Sequence, residues 1–120
     1  MRKVTLAEVF EGIDGYFQPK IVGELNGQHV KVVKARGEFV WHHHEFEDEM
    51  FLVLDGRLRM QLCDREIVLG PGELFVVPRG VEHRPVADDE VRLLLFEPAG
   101  TINTGNVVNA LTVENPEVLA

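Results

Sequence analysis

Short β-rich runs separated by tight-turn signals constrain the fold of this chain more than any other feature. Asn26-Gly27 and Asp55-Gly56 each lie between two such runs, and these dipeptides are the strongest local signal for a β-hairpin. Similar runs continue as far as residue 97. About eight short strands at this spacing predict a single all-β domain built as a sandwich or a barrel.

The predicted strands fill the middle of the chain. They are residues 21–25, 29–36, 38–44, 49–54, 57–62, 66–69, 73–77, 83–86 and 91–97, with an acidic turn at 88–90. Before them, Thr5-Leu6-Ala7-Glu8 has the form of a helix capping box and Gly12 is a stop signal, so one short helix is expected.

These elements divide the chain into three parts. They are an N-terminal segment with the helix (1–19), a β-barrel (20–100) and a C-terminal arm (101–120). Within the arm, residues 107–113 are expected to form either a last edge strand or a contact with a partner subunit.

Composition limits the partners and the location. Twenty acidic residues against twelve basic ones give a net charge of −8, which argues against a nucleic-acid partner because binding phosphates requires cationic side chains. No apolar run approaches the roughly 20 residues that span a bilayer, so no membrane partner is expected. The single cysteine, Cys63, excludes an internal disulfide and is expected to be buried or half-buried. Without a secretory signal pattern, the chain is expected to be cytoplasmic.

Four side chains from two separate stretches have the character of metal ligands. His42 and His44 lie two positions apart on a predicted strand, so they leave the same face of the pleat. Glu49 joins them if the intervening loop turns, and Pro78-Arg79-Gly80 delivers His83 to the start of another strand. Three imidazoles and one carboxylate suit Zn, Fe, Mn, Ni or Cu, and they suit Ca or Mg poorly. We therefore expect one divalent transition metal ion per chain.

The histidines also have ordinary structural interpretations. Two strand histidines can be satisfied by backbone groups or water. His43 faces the other side and is expected at the outer surface or a subunit contact, yet it becomes a reserve ligand if the register slips by one residue. His29 has no companions and is expected to be a surface strand residue. The coincidence of four donors in register favours ligation.

Taken together, the two stretches resemble the paired motifs of the cupin family. The first motif has a glycine, His-x-His, a glutamate and a closing glycine, matched here by Gly37, His42, His44, Glu49 and Gly56. The second has a glycine, Pro-x-Gly, a histidine and a closing asparagine, matched here by Gly72, Pro78, Gly80 and His83, with Ala87 in the last place. The gap after Gly37 is four residues instead of the usual five.

This resemblance implies a double-stranded β-helix, or jelly roll, that holds one divalent metal ion through His42, His44, Glu49 and His83. It also implies a homodimer formed through edge strands. Cupins include isomerases, dioxygenases, decarboxylases and hydrolases, and the fold does not select among them.

We therefore expect a metal-dependent enzyme of isomerase or dioxygenase type that acts on a small oxygenated organic substrate. The alternative is a non-catalytic module that binds a small molecule or a metal. Val40, Phe51 and Val53 share the face of the ligands, so they are expected to form the wall of an apolar pocket.

Overall fold

The predicted hairpin at Asn26-Gly27 is confirmed, whereas the one at Asp55-Gly56 is wrong: the strand before that turn (49–55) and the strand after it (58–62) pair with other strands and not with each other. In the computed structural model, which describes residues 2–119, the elements are α1 (Leu6–Glu11), β1 (Lys20–Leu25), β2 (Gln28–Glu38), β3 (Glu49–Asp55), β4 (Leu58–Leu62), β5 (Glu66–Leu69), β6 (Leu74–Val77), β7 (His83–Pro98) and β8 (Glu117–Val118). Asn26 and Gly27 connect β1 to β2 with φ angles of 49° and 78°, the positive values that a tight hairpin turn requires.

The long strand β7 organises the sheet. Its first residues pair with β4 and its later residues pair with β3, while β2 lies along most of its length. All three pairings are antiparallel. β6 continues the sheet beyond β3, and β5 continues it beyond β4. The result is the all-β jelly roll with a short N-terminal helix that the sequence predicts.

The predicted turn at residues 88–90 is wrong, because β7 continues through it. The pairing of β2 with β7 runs from Ala35↔Val91 to Gly37↔Ala87, so three residues of β7 lie opposite Arg36 alone. Such a bulge bends a strand without ending it. The three acidic residues are exposed at that bend, so they resemble a turn in the sequence although the strand continues.

The predicted strand 38–44 is only partly right. β2 ends at Glu38, immediately after Gly37, whose φ of 89° lies in a region that glycine adopts readily. Beyond that point, His42 alone forms a β-bridge, and its partner is His83. The histidine segment therefore leaves the regular sheet and is held by fewer hydrogen bonds than a strand would make.

Apolar side chains pack on both sides of the barrel wall. The interior cluster includes Val53, Leu58 and Met60, all fully buried. On the outside, the helix residue Phe10 packs with Val32 of β2 in a second cluster. Because a six-residue helix is too short to be stable by itself, this packing holds α1 in place. The side chain of its N-cap residue makes no capping hydrogen bond.

Three further features differ from expectation or complete the fold. Cys63 is exposed, so its prediction as a buried or half-buried residue is wrong: it lies just past the end of β4, in a bend. Residues 107–113 contain turns and no strand, and the last strand β8 pairs in parallel with β1 further along the chain. Within residues 2–119, no helix is long and apolar enough to cross a membrane.

Candidate metal centre

Backbone hydrogen bonds join the two motif segments. His42 N donates to His83 O at 3.0 Å, and His83 N donates to His42 O at 2.9 Å. The pairing is extended on one side by Phe39 N to Pro85 O at 3.0 Å and on the other by Gly80 N to His44 O at 2.8 Å. The two segments therefore run side by side although the histidine segment forms no regular strand and β7 only begins at His83.

The three consecutive histidines alternate as predicted. His42 and His44 are buried, with 1% and 4% of their surface exposed, whereas His43 is half-buried. The His43 ring lies on the other face, where its Nδ1 is 2.9 Å from Glu82 Oε2. The one-residue slip that would make His43 a ligand does not occur. His29 also lies apart from this group, 3.5 Å from Glu24.

The loop between His44 and Glu49 is held by an ion pair. Asp48 Oδ1 accepts a hydrogen bond from the Arg79 backbone N–H at 2.8 Å, and the Arg79 guanidinium approaches the same oxygen at 3.2 Å. This contact fastens the loop to the turn that precedes His83. Glu49 then begins β3 opposite Val77 and points inward, with 3% of its surface exposed.

The structure brings the four candidate ligands together. One donor atom from each of His42, His44, Glu49 and His83 lies within 4.8 Å of every other. Glu49 Oε1 is 3.3 Å from His44 Nε2 and 3.5 Å from His83 Nε2. Two donors that share one ion at about 2.1 Å with a tetrahedral angle are separated by about 3.4 Å. The spacing therefore suits a single ion that the cluster could hold.

The hydrogen bonds made by Nδ1 of two imidazoles leave their Nε2 atoms available as metal donors. Nδ1 of His42 lies 2.9 Å from Val40 O, and Nδ1 of His83 lies 2.9 Å from Val81 O. A carbonyl oxygen only accepts, so each Nδ1 carries the proton and each Nε2 is left with a lone pair. Nε2 of His44, Nε2 of His83 and Oε1 of Glu49 are buried without a hydrogen-bond partner. These unpaired donors fit a metal ion.

Two buried ionisable residues close to Glu49 are not among the residues selected from the sequence. Lys31 Nζ lies 2.8 Å from Glu97 Oε1, and both side chains are almost fully buried. Although burial opposes ionisation of Glu49, the close approach of Glu97, His44 and His83 holds its pKa well below the usual value. The alternation of side chains along the strands could have identified both residues. Lys31 shares the inward face of β2 with Val33, and Glu97 shares the inward face of β7 with Leu95.

A small cavity opens beside His42 and Glu49. The side chains that line it, apart from those two, are Phe17, Pro19, Val33, Phe39, Phe51, Pro85, Leu93, Leu95 and Asn103. Phe51 is the predicted wall residue that lines it. Val53 lies deeper, among the fully buried core residues. Val40 is replaced by Phe39, because both Phe39 and His42 point inward and the strand alternation is broken between them.

Phe17 enters this cavity from outside the barrel strands. Its φ of 57° is a left-handed conformation that costs a bulky residue roughly 1–2 kcal/mol. Its N–H donates to Lys34 O at 2.8 Å, and its ring centroid lies 4.9 Å from that of Phe39. No pattern in the sequence marks this residue, because its position depends on how the segment after α1 returns to the barrel.

Comparison with known proteins agrees with this architecture. A model of the cupin domain matches residues 29–97, which is more than half of the chain. The chain belongs to the cupin domain family. A cupin-2 domain protein from Shewanella frigidimarina has a crystal structure that superposes with a TM-score of 0.78 at 38% identity, over 79% of this chain and 93% of the other. The resemblance predicted from the two motifs is thus confirmed.

Two curated relatives match the cupin region over shorter stretches. An uncharacterised Bacillus subtilis protein, YdbB, is 38% identical over 64 residues, or 52% of this chain and 57% of its own length. A Leishmania major protein named acireductone dioxygenase is 32% identical over 100 residues, or 68% of this chain and 28% of its own length. This cupin therefore corresponds to part of each of these proteins and not to their whole length.

The burial of His42 can be tested in the metal-free protein through the pH dependence of its stability. Burial, reinforced by the neighbouring His83, lowers the pKa of His42 from 6.5 to about 4. Between those two pH values the unfolded chain binds a proton that the folded chain does not, so stability falls as the pH falls. We expect this group to remove up to about 3 kcal/mol from the free energy of unfolding between pH 7 and pH 4, measured by urea denaturation of the metal-free protein.

The matched control is His42→Asn, which lacks the titrating group. Burial and the neighbouring Glu49 raise the pKa of Glu97, which contributes a pH dependence of opposite sign in both proteins. The difference between the two proteins therefore isolates His42. The same pH dependence in both proteins would show that His42 is not held neutral in the folded state.

Proposed function

We propose that His42, His44, Glu49 and His83 bind one divalent transition metal ion, and that the protein is a metal-dependent enzyme acting on a small oxygenated organic molecule. The observation that carries this proposal is the set of buried Nε2 and Oε1 atoms with no partner in the protein. Zn, Fe, Mn, Ni and Cu all accept such nitrogen and oxygen donors. An ion held there would supply Lewis-acid or redox chemistry.

The cavity indicates what kind of molecule would reach the ion. Apart from the candidate ligands, its lining consists of apolar side chains and Asn103. A substrate that fits it has one oxygenated end, directed towards His42 and Glu49, and a mostly apolar body. Phe17 and Phe39 exclude water from that body. This combination supports the dioxygenase type, and so does the partial match to the protein named acireductone dioxygenase.

The cationic side chains of this cupin argue against a phosphorylated sugar. Lys34 donates to Ile13 O, Arg79 pairs with Asp48 and Arg84 pairs with Glu38, and none of these lysine and arginine residues lines the cavity. Lys31 is already paired with Glu97. If the reaction is an isomerisation, we therefore propose a substrate without a phosphate group.

A non-catalytic binding module is the second candidate. One observation favours it: among the residues that line the cavity, none beyond the candidate ligands has a side chain that exchanges protons at neutral pH. An enzyme that depends on general acid or base catalysis would need such a group within hydrogen-bonding distance of the substrate.

The edge strands support a further part of the proposal, that this cupin is a homodimer. Among the strands described, β6 pairs only with β3, and β5 pairs only with β4. Leu74 and Val76 on β6 are 55% and 47% exposed, and Val68 on β5 is 41% exposed. Unpaired strand edges with apolar side chains associate readily with a second chain.

Metal content tests the ligand set. After loading with Fe²⁺ or Zn²⁺ and removal of excess metal, the protein should contain about one ion per chain by elemental analysis. His44→Ala removes one donor and should weaken binding at least about tenfold. The matched control is His43→Ala, which removes the adjacent imidazole on the outer face and should keep the metal. Equal metal content in the two variants would rule out this site.

Turnover separates the enzyme from the module. The Fe²⁺-loaded protein is incubated in air with a panel of small hydroxyketones, diketones and enediols, and O₂ consumption and products are followed. We expect O₂ consumption that His44→Ala abolishes. Isomerised product without O₂ consumption would replace the dioxygenase assignment by an isomerase. Thermal stabilisation without any product would support the module, and no response to any compound would contradict both.

The dimer has its own test. Sedimentation velocity should give a two-chain mass at micromolar concentration, and Leu74→Glu on the exposed face of β6 should shift it to one chain while leaving the fold intact by circular dichroism. A wild-type protein that sediments as a monomer across that concentration range would contradict the homodimer.

A further inference from the structure

The C-terminal arm (101–120) is hydrogen-bonded to the backbone that connects the candidate ligands His42 and His44. Asn106 Oδ1 accepts a hydrogen bond from His43 N at 2.9 Å, and Asn106 N donates to His43 O at 3.1 Å. His43 N belongs to the peptide that follows His42, and His43 O belongs to the peptide that precedes His44. Asn106 therefore fixes both peptide planes that connect the two imidazoles, in a segment that β2 no longer holds.

Gly105 brings the arm even closer to the same segment. Its φ is 55°, and a Cβ at this position would overlap the His43 carbonyl oxygen and lie 3.2 Å from Cδ2 of the His42 ring. No side chain can be added here without moving either the arm or the histidine segment. The arm is thus packed against a candidate ligand itself.

The arm is anchored well enough to act as a support. Thr104 is fully buried, and its Oγ1 lies 2.6 Å from both Val107 O and Thr112 Oγ1. Asn103 Oδ1 accepts from Val113 N at 2.8 Å, which closes the turn. The buried Lys31 donates to Thr101 O at 3.1 Å and ties the start of the arm to the barrel.

We propose that Asn106 and Gly105 are positioning residues of the metal site, so that the arm completes the site that the barrel begins. The proposal rests on the proposed metal binding. A ligand segment held in its binding geometry loses less conformational entropy when the ion binds, which raises affinity. Groups that orient metal ligands from outside typically change metal affinity by about 10- to 100-fold when they are removed.

The test compares three variants of the full chain by Zn²⁺ affinity, measured in competition with a chromophoric chelator. Asn106→Ala removes the acceptor for His43 N and should weaken Zn²⁺ binding about tenfold. Asn106→Asp keeps an acceptor oxygen on this exposed side chain and should restore affinity to within about threefold of wild type. Asn109→Ala is the matched control: it removes the acceptor for Leu111 N in the same arm, away from His43, and should leave affinity unchanged.

A second readout separates positioning from general stability. In the Co²⁺-loaded protein, the visible absorption bands report ligand geometry, and we expect them to shift in Asn106→Ala and in Gly105→Ala but not in Asn109→Ala. Urea denaturation of each metal-free variant shows whether the fold is retained. Asn106→Ala with the affinity and bands of Asn109→Ala would overturn the positioning role. A wild-type protein that binds no Zn²⁺ would instead overturn the proposed metal site itself.

Discussion

Two backbone hydrogen bonds between His42 and His83 hold together the segments that carry the three imidazoles. The rest of the site depends on this pair, because β2 has already ended at Glu38 and the histidine segment has no regular sheet partner. The same pair lets Nδ1 of each ring reach a carbonyl two residues back in its own segment. Ring orientation thus follows from backbone geometry.

The energetic consequence is a cluster of polar atoms that the folded chain does not satisfy by itself. Each buried donor or acceptor without a partner costs about 1–3 kcal/mol, and Nε2 of His44, Nε2 of His83 and Oε1 of Glu49 are all in this state. A divalent ion would satisfy all three and would offset the burial of the Glu49 carboxylate. The site is therefore costly for the fold without an ion, as metal sites commonly are.

Much of this cupin could be predicted from the sequence, because the β1–β2 turn and the ligand spacing depend on neighbouring residues. The expected hairpin at Asp55-Gly56 was wrong, because β3 and β4 pair with more distant strands. Asn26-Gly27 specified the β1–β2 turn, and the His-x-His spacing placed two imidazoles on one face and His43 on the other. What the sequence did not reveal depends on contacts between distant parts of the chain. Residues 88–90 resemble a turn in the sequence, but they form a bulge opposite Arg36 within β7. Phe17 reaches the cavity, and Asn106 reaches His43, only because of how the barrel is closed.

X-ray absorption spectroscopy of the metal-loaded protein measures most directly whether these side chains surround one ion. The expected result is a shell of three imidazole nitrogens and at least one carboxylate oxygen at about 2.0–2.2 Å, with one imidazole fewer in His44→Ala. A shell without imidazole scattering, or one that is unchanged in that variant, would contradict the central claim that the barrel holds a metal ion through these residues.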